Sequence, residues 1–189
     1  MSGHDTGLAA PDRTKALRRL QLDPVQAGDA EAIARLADDR HIAEMTARIP
    51  HPYGLADAVT FIANLGDARV FAARRRTDAV FLGLASLRAR AEPETFELGY
   101  WLGRPFWGEG FGTEMAQALV DHAFGDLEAA LIEVRCRVVN AASRRVIQKC
   151  GFQYAGTGMD VSLFAGRVAS ETYRMDRRCW QSLKAWGRQ

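Results

Sequence analysis

No stretch of about 18 consecutive apolar residues occurs, so no membrane-spanning helix is expected. The first residues, MSGHDTGLAAPDRTK, lack the apolar core of a secretory signal. Cysteine is scarce. Cys136, Cys150 and Cys179 are odd in number, widely spaced and without a CxxC pair. That argues against a disulfide framework or a zinc site and fits a reducing, cytoplasmic setting. The four histidines are scattered without metal-ligand spacing, so no metal is expected. Charge of one sign is also lacking. A formal net charge of +2 is too near neutral to mark a nucleic-acid binder. Internal repeats and low-complexity tracts are absent.

What remains is the composition of one globular domain, α/β in class. The chain has 189 residues, 48% hydrophobic and 25% charged, within the roughly 100–200 residues expected of a single domain. Residues 1–13 are small and polar, with Gly3, Gly7 and Pro11, and are expected to form a disordered tail. Residues 14–176 carry the domain, and 177–189 form a basic extension with Trp180, Leu183 and Trp186.

The hydrophobic period switches along the chain. LRRLQL (17–22) suits a first strand. Residues 27–39 have helical spacing, with Asp29 as the expected N-cap. Short helices are expected near 41–46 and over 57–65, separated by Ile49-Pro50-His51-Pro52-Tyr53, which prolines hold extended or turning. Segments 70–76, 80–90 and 96–103 read as an antiparallel meander. A helix follows from about Thr113 to Phe124, with Met115, Ala116, Leu119, Val120 and Ala123 as its apolar stripe. Strand 131–139 places Ile132, Val134, Cys136 and Val138 on one face. A helix over 140–150 stops at Gly151, and strands near 152–161 and 168–176 complete a mixed sheet. The strand–helix–strand unit 96–139 predicts a parallel pair.

The most informative stretch is Trp107-Gly108-Glu109-Gly110-Phe111-Gly112-Thr113, directly before a helix. Glycines let a backbone curl so that successive N–H groups point one way. The helix behind adds unpaired N–H groups and the positive end of its dipole. Together they form a cradle for phosphate or pyrophosphate. No Walker lysine follows the glycines, and the GxGxG spacing is not a dinucleotide fingerprint.

Three blocks in order carry a family resemblance. They are Glu97-Leu98-Gly99-Tyr100-Trp101-Leu102, W-G-E-G-F-G-T-E (107–114) and N-A-A-S-R-R-V-I-Q-K-C-G-F (140–152), with IPHPY (49–53) upstream. The chain resembles the GNAT superfamily of acyl-CoA-dependent N-acetyltransferases, in particular its ribosomal-protein N-terminal acetyltransferase branch. The likeness covers most of 14–176. It implies a single-domain, mostly antiparallel sheet with a splayed parallel strand pair at its centre, flanked by helices.

The resemblance further implies acetyl-CoA as co-substrate, with its pyrophosphate on the backbone N–H groups of Gly108, Glu109, Gly110, Phe111, Gly112 and Thr113, and with Trp107 also in the cofactor site. A bulge in strand 96–102 would open a gap for the pantetheine arm, paired with backbone near Trp101, Leu102 and Gly103. An N–H near Tyr100 or Trp101 would polarise the thioester carbonyl. Asn140 contacts the cofactor arm in the family, and as a sequence feature it is equally an N-cap. The superfamily's usual acid, a tyrosine seven residues after that asparagine, is here Ile147. Ser143 is the candidate replacement by analogy with the branch. Glu97 is the candidate base, working through a water and with its pKa raised by burial, or else a substrate-orienting group. His51 and Glu44 remain alternatives.

The implied activity is acetyl transfer to a primary amine by direct attack in a ternary complex, without an acyl-enzyme. The amine is a protein or peptide N-terminus or a small molecule, and the enzyme a monomer or homodimer. Two rivals stand beside it: a non-catalytic acyl-CoA sensor, and a nucleic-acid-binding accessory domain using the basic extension. Cys136 and Cys150 are expected to be core, His122 a helix-surface residue, and Arg74-Arg75-Arg76 a solvated turn.

Overall fold

Alternating and continuous apolar runs give seven strands, and helically spaced runs cover both faces of the sheet they form. The computed structural model describes residues 19–186. The expected tail, the first residues of strand 17–22 and the last three of the extension lie outside them. In chain order the elements are β1 (Leu20–Pro24), α1 (Ala30–Ala37), α2 (Arg40–Met45), α3 (Leu55–Ala63), β2 (Arg69–Arg75), β3 (Phe81–Ala89), β4 (Thr95–Leu102), α4 (Phe111–Gly125), β5 (Leu131–Arg137), α5 (Ala141–Lys149), β6 (Gln153–Ser162), β7 (Gly166–Asp176) and α6 (Arg177–Trp186). The sheet order is β1-β2-β3-β4-β5-β7-β6. Only β4 and β5 run parallel, joined by the α4 crossover. The other pairs are antiparallel.

One face of the sheet packs on α4 and α5. Leu87, Leu98, Met115, Leu119, Phe124, Ile132 and Ile147 form that core. At about 25 cal/mol per Å² of apolar surface removed from water, this layer dominates the stability. The opposite face is covered by α1–α3 over β2–β4 alone, where Ile33, Ile42, Val70, Leu84 and partly buried Trp101 pack. The remainder of that face, toward β5–β7–β6, carries polar side chains. Gly83 is needed where β3 meets β4, because a Cβ there would lie 2.1 Å from the Trp101 carbonyl oxygen.

Several expectations shift. Asp29 ends a short 3₁₀ turn instead of capping α1 with its side chain. Its carboxylate accepts from the Gln26 amide at 2.9 Å and pairs with Arg74. The segment at 49–53 turns through a cis His51–Pro52 bond. Arg75 closes the β2–β3 turn onto Asp78 at 2.7 Å, as expected of a turn, but Arg74 and Arg76 tie β1 and β2 together. β5 ends at Arg137, so Val138 leaves the apolar face and is 38% exposed. His122 is not on the surface. It is 2% exposed, bonded through Nδ1 to Asp126 at 2.6 Å and edge-on to Phe71. The extension folds back as α6. Trp180 stacks on Phe124 and donates from Nε1 to Asp121 at 2.8 Å. Among the described residues no helix is long and apolar enough to cross a membrane, and no cluster of three or more His, Cys, Asp or Glu could hold a metal ion.

Candidate active site

The sheet splits at its centre. β4 stays paired with β3 over its length, from Ala89–Phe96 to Gly83–Leu102. β5 stays paired with β7 from Leu131–Asp176 to Arg137–Ser170. Between β4 and β5 only four positions pair, the last being Leu98–Val134. Beyond it Gly99–Leu102 and Arg135–Arg137 diverge into a gap. The β3–β4 register runs without a shift, so the expected bulge in strand 96–102 is absent. Each strand instead stays paired with its outer neighbour while the β4–β5 pairing ends at Leu98–Val134.

Bond parity shows which groups face the gap. The Arg90 amide donates to the Thr95 carbonyl at 2.9 Å, and the Gly103 amide to the Leu82 carbonyl at 2.8 Å. In an antiparallel pair such bonds recur every second residue. Glu97, Gly99, Trp101 and Gly103 therefore turn their amides toward β3, whereas Tyr100 and Leu102 turn theirs toward the side β5 has left. The Leu102 carbonyl is taken by Trp107 Nε1 at 2.8 Å. Trp101 and Gly103, expected to meet the cofactor arm, have their amides engaged inside the sheet. Tyr100 rather than Trp101 offers its N–H to the gap.

The glycine loop lies beyond the end of β4. Gly108 and Gly110 have φ of 82° and 85°, in the left-handed region that glycine adopts without strain. α4 starts at Phe111, two residues earlier than its hydrophobic spacing indicated, so Phe111, Gly112 and Thr113 form its first turn. The Thr113 amide donates back to the Gly110 carbonyl at 3.1 Å. Among the described residues nothing accepts from the amides of Gly108, Glu109, Gly110, Phe111 or Gly112. These five donors sit at the positive end of a 15-residue helix. A clasp holds the loop from behind. Arg19 donates to the Glu109 carbonyl at 3.0 Å and to Glu114 at 3.0 Å, and it covers the Phe111 ring. Glu114 in turn accepts the Arg19 and Leu20 amides. The sequence reading missed this clasp, since nothing local links position 19 to position 114.

Ser143 stands in the first turn of α5. Its amide donates to Asn140 Oδ1 at 3.0 Å, and Asn140 Nδ2 donates to the Met45 carbonyl at 3.2 Å. Asn140 is thus an N-cap with both ends of its amide engaged. Ser143 Oγ lies 3.0 Å from the Tyr100 hydroxyl. Burial pushes the Tyr100 pKa well above its ordinary value, and the bond to Ser143 offsets this only in part. Ile147, one turn further on, is 1% exposed and belongs to the core. The Tyr100 phenol was not anticipated as a side-chain contributor. The available signal was parity: residues Phe96, Leu98, Tyr100 and Leu102 share the α5 side of β4.

Glu97 lines the same cavity, whose volume is about 1020 Å³, together with Tyr100, Asn140 and Ser143. It is not in apolar surroundings. Its Oε2 accepts from Arg90 at 2.8 Å, and its side chain is 24% exposed. His51 and Glu44 do not line the cavity. The Cys136 thiol is pushed up to about 11 and the Cys150 thiol to about 12, both by burial, which suits the absence of a thiol nucleophile.

The profile of the acetyltransferase (GNAT) domain matches residues 19–153. The N-acetyltransferase p20 of Bacillus licheniformis, itself uncharacterized, is 36% identical over 72 residues, covering 38% of this chain and 40% of that protein. The ribosomal-protein-serine acetyltransferase of Escherichia coli is 36% identical over 69 residues, covering 35% and 37%. These matches span well under two-thirds of the relatives' length. Among solved structures, RimJ of Mycobacterium smegmatis in complex with CoA-disulfide superposes with a TM-score of 0.75 at 21% identity, covering 89% of this chain and 90% of that one. A GNAT-family acetyltransferase from Bacillus anthracis superposes with a TM-score of 0.76 at 20% identity, covering 85% and 96%. At these identities the structures show a common fold. With the family profile matched over most of its length, the chain belongs to the GNAT acetyltransferase family.

Proposed function

We propose that the protein transfers an acetyl group from acetyl-CoA to a primary amine by direct attack in a ternary complex. The observation that carries this is the split between β4 and β5, with the Tyr100 N–H facing it and five unpaired amides at the α4 N-terminus. The two sites suit the two ends of one ligand. Amides of Gly108 through Gly112 receive the pyrophosphate, and the gap receives the extended arm and its thioester. Acetyl-CoA supplies an activated acyl group with a good leaving group. A free thiol has a pKa of about 8.5, so the departing sulfur needs only a hydrogen bond. Ser143 provides it. The Tyr100 amide donates to the carbonyl oxygen as negative charge develops there.

Tyr100 also sets the direction of the Ser143 proton. The partly buried Tyr100 hydroxyl lies 3.0 Å from Ser143 Oγ, and in this reading the phenol is the donor of that bond. With that lone pair occupied, the serine's own proton turns toward the gap. On the acceptor side, Glu97 Oε1 has no partner among the described residues beside the pair made by Oε2, and it takes the amine proton through a water. The demand is small for an α-amine, roughly a tenth neutral at pH 7 given a pKa of about 8. The protein N-terminal amine is favoured over lysine for the same reason.

Release of free thiol from acetyl-CoA, followed with peptide and small-molecule amines, tests the proposal. Amine-dependent release with matching acetylated product supports it. Binding of acetyl-CoA without turnover on any amine would favour the sensor, a reading to which Ile147 in place of the usual tyrosine lends weight.

A further inference from the structure

We infer that the acceptor is a negatively charged amine, an acidic peptide N-terminus or an acidic amino acid, and that polycationic amines are excluded. The inference rests on the transferase reading above. It comes from the charges on the sheet face that the acceptor must cross.

The gap opens on the face that α1–α3 leave uncovered. Residues of like parity share that face. Register pairs Arg88 with Glu97, Glu97 with Glu133, and Glu133, Arg135 and Arg137 with Arg174, Thr172 and Ser170. Asp160 pairs with Val168, two residues on from Ser170. The carboxylates there are Glu97, Glu133 and Asp160, and each already has a guanidinium. Glu97 pairs with Arg90 at 2.8 Å, Glu133 with Arg174 at 2.6 Å, and Asp160 with Arg135 at 2.9 Å. Of the other arginines lining the cavity, Arg48, Arg137 and Arg145 meet no carboxylate among the described residues. Arg48 is exposed on the segment after α2. Arg88 is paired, with Asp67 outside the cavity at 3.5 Å, and Arg145 is exposed on α5. Arg137 donates from Nη1 to the Glu44 carbonyl, and its Nε is buried without a partner.

A cationic substrate such as a polyamine would therefore meet compensated carboxylates and uncompensated guanidinium groups. An acidic chain meets the reverse, since guanidinium is built to receive carboxylate. The same charges act on the reacting group. Nearby like charge disfavours the ammonium form of the acceptor and so raises the fraction able to attack. That lightens the task left to Glu97.

The test uses three Ala-initiated peptides of equal length, with acidic, neutral or basic residues at positions two to five. Free glutamate and spermidine are the small-molecule arms. Thiol release from acetyl-CoA is read at low and high salt. The acidic peptide should exceed the basic one in kcat/KM by about tenfold at low salt, and the ratio should shrink as salt screens it. Charge reversal in R48E/R88E should abolish or invert the ratio while the KM for acetyl-CoA stays unchanged. Whether peptide or glutamate is the better substrate identifies the source of the negative charge. Equal or better use of the basic peptide or spermidine overturns the inference and leaves the transferase reading standing. Transfer to none of the arms, with acetyl-CoA bound, overturns both.

Discussion

Replacing Tyr100 with phenylalanine removes one oxygen and leaves the ring in place. The hydroxyl lies 3.0 Å from Ser143 Oγ, and its removal frees the serine proton to turn away from the gap. A hydrogen bond between neutral groups contributes about 0.5–1.5 kcal/mol net. At 1.36 kcal/mol per decade of rate, that is about a two- to tenfold loss in kcat. The KM for acetyl-CoA should not move, because the glycine loop and the Tyr100 backbone are untouched. The melting temperature should fall by no more than about 2–4 °C per kcal/mol lost. Ser143→Ala should cost more, about a hundredfold, near the low end of general-acid assistance because a thiol leaves readily. The double variant should match Ser143→Ala alone, since the phenol acts only through the serine. Steady-state kinetics of the four proteins decide the matter. An unchanged kcat in Tyr100→Phe, or additive losses in the double variant, would refute the proton-direction argument.

At Gly110, φ of 85° is a conformation that costs an L-residue about 1–2 kcal/mol. Gly110→Val should therefore distort the loop and raise the acetyl-CoA Kd at least tenfold in titration calorimetry, with the fold retained. Hydrogen bonds from Arg144 hold the Glu171 carboxyl below the ordinary carboxylate range. The stability this ion pair contributes is complete above the unfolded value of about 4.3 and is lost as pH falls through the folded value. Glu171→Gln should thus melt below the wild type at pH 7, and the difference should close below about pH 4. With thiols held at about 11 and about 12, Cys136 and Cys150 should resist a disulfide reagent at pH 8 in the native protein. They should react once it is unfolded, as counted by mass spectrometry.

Much of the fold was legible because its signals are local. The period-2 runs of β2–β5, the helical stripe from Met115 to Ala123 and Gly151 after α5 each act within a few residues. The crossover between β4 and β5 followed from chirality and connection length. What was not legible depends on distant partners. Asp29 was free to meet Arg74 only because β2 passes beside the 3₁₀ turn. His122 is buried because Phe71 of β2 lies over it, and helical spacing alone placed it outside. The bulge was expected from resemblance, whereas the β3–β4 register runs unshifted and the β4–β5 pairing simply ends after four positions. At the site, glycine spacing pointed to the anion cradle. The Tyr100–Ser143 contact joins residues 43 positions apart, and the matched carboxylates of the open face appear only once four strands are set side by side.

Thermal unfolding with and without acetyl-CoA, with ATP and NAD as controls, tests most directly whether the split sheet and its glycine loop hold an acyl-CoA. Ligand at about 100 times its Kd adds about 2.7 kcal/mol, which is a rise of roughly 5–10 °C for a chain of this length. A rise with acetyl-CoA alone is the predicted result. No rise with acetyl-CoA, together with one for ATP or NAD, would contradict the assignment of the loop and of everything built on the gap beside it.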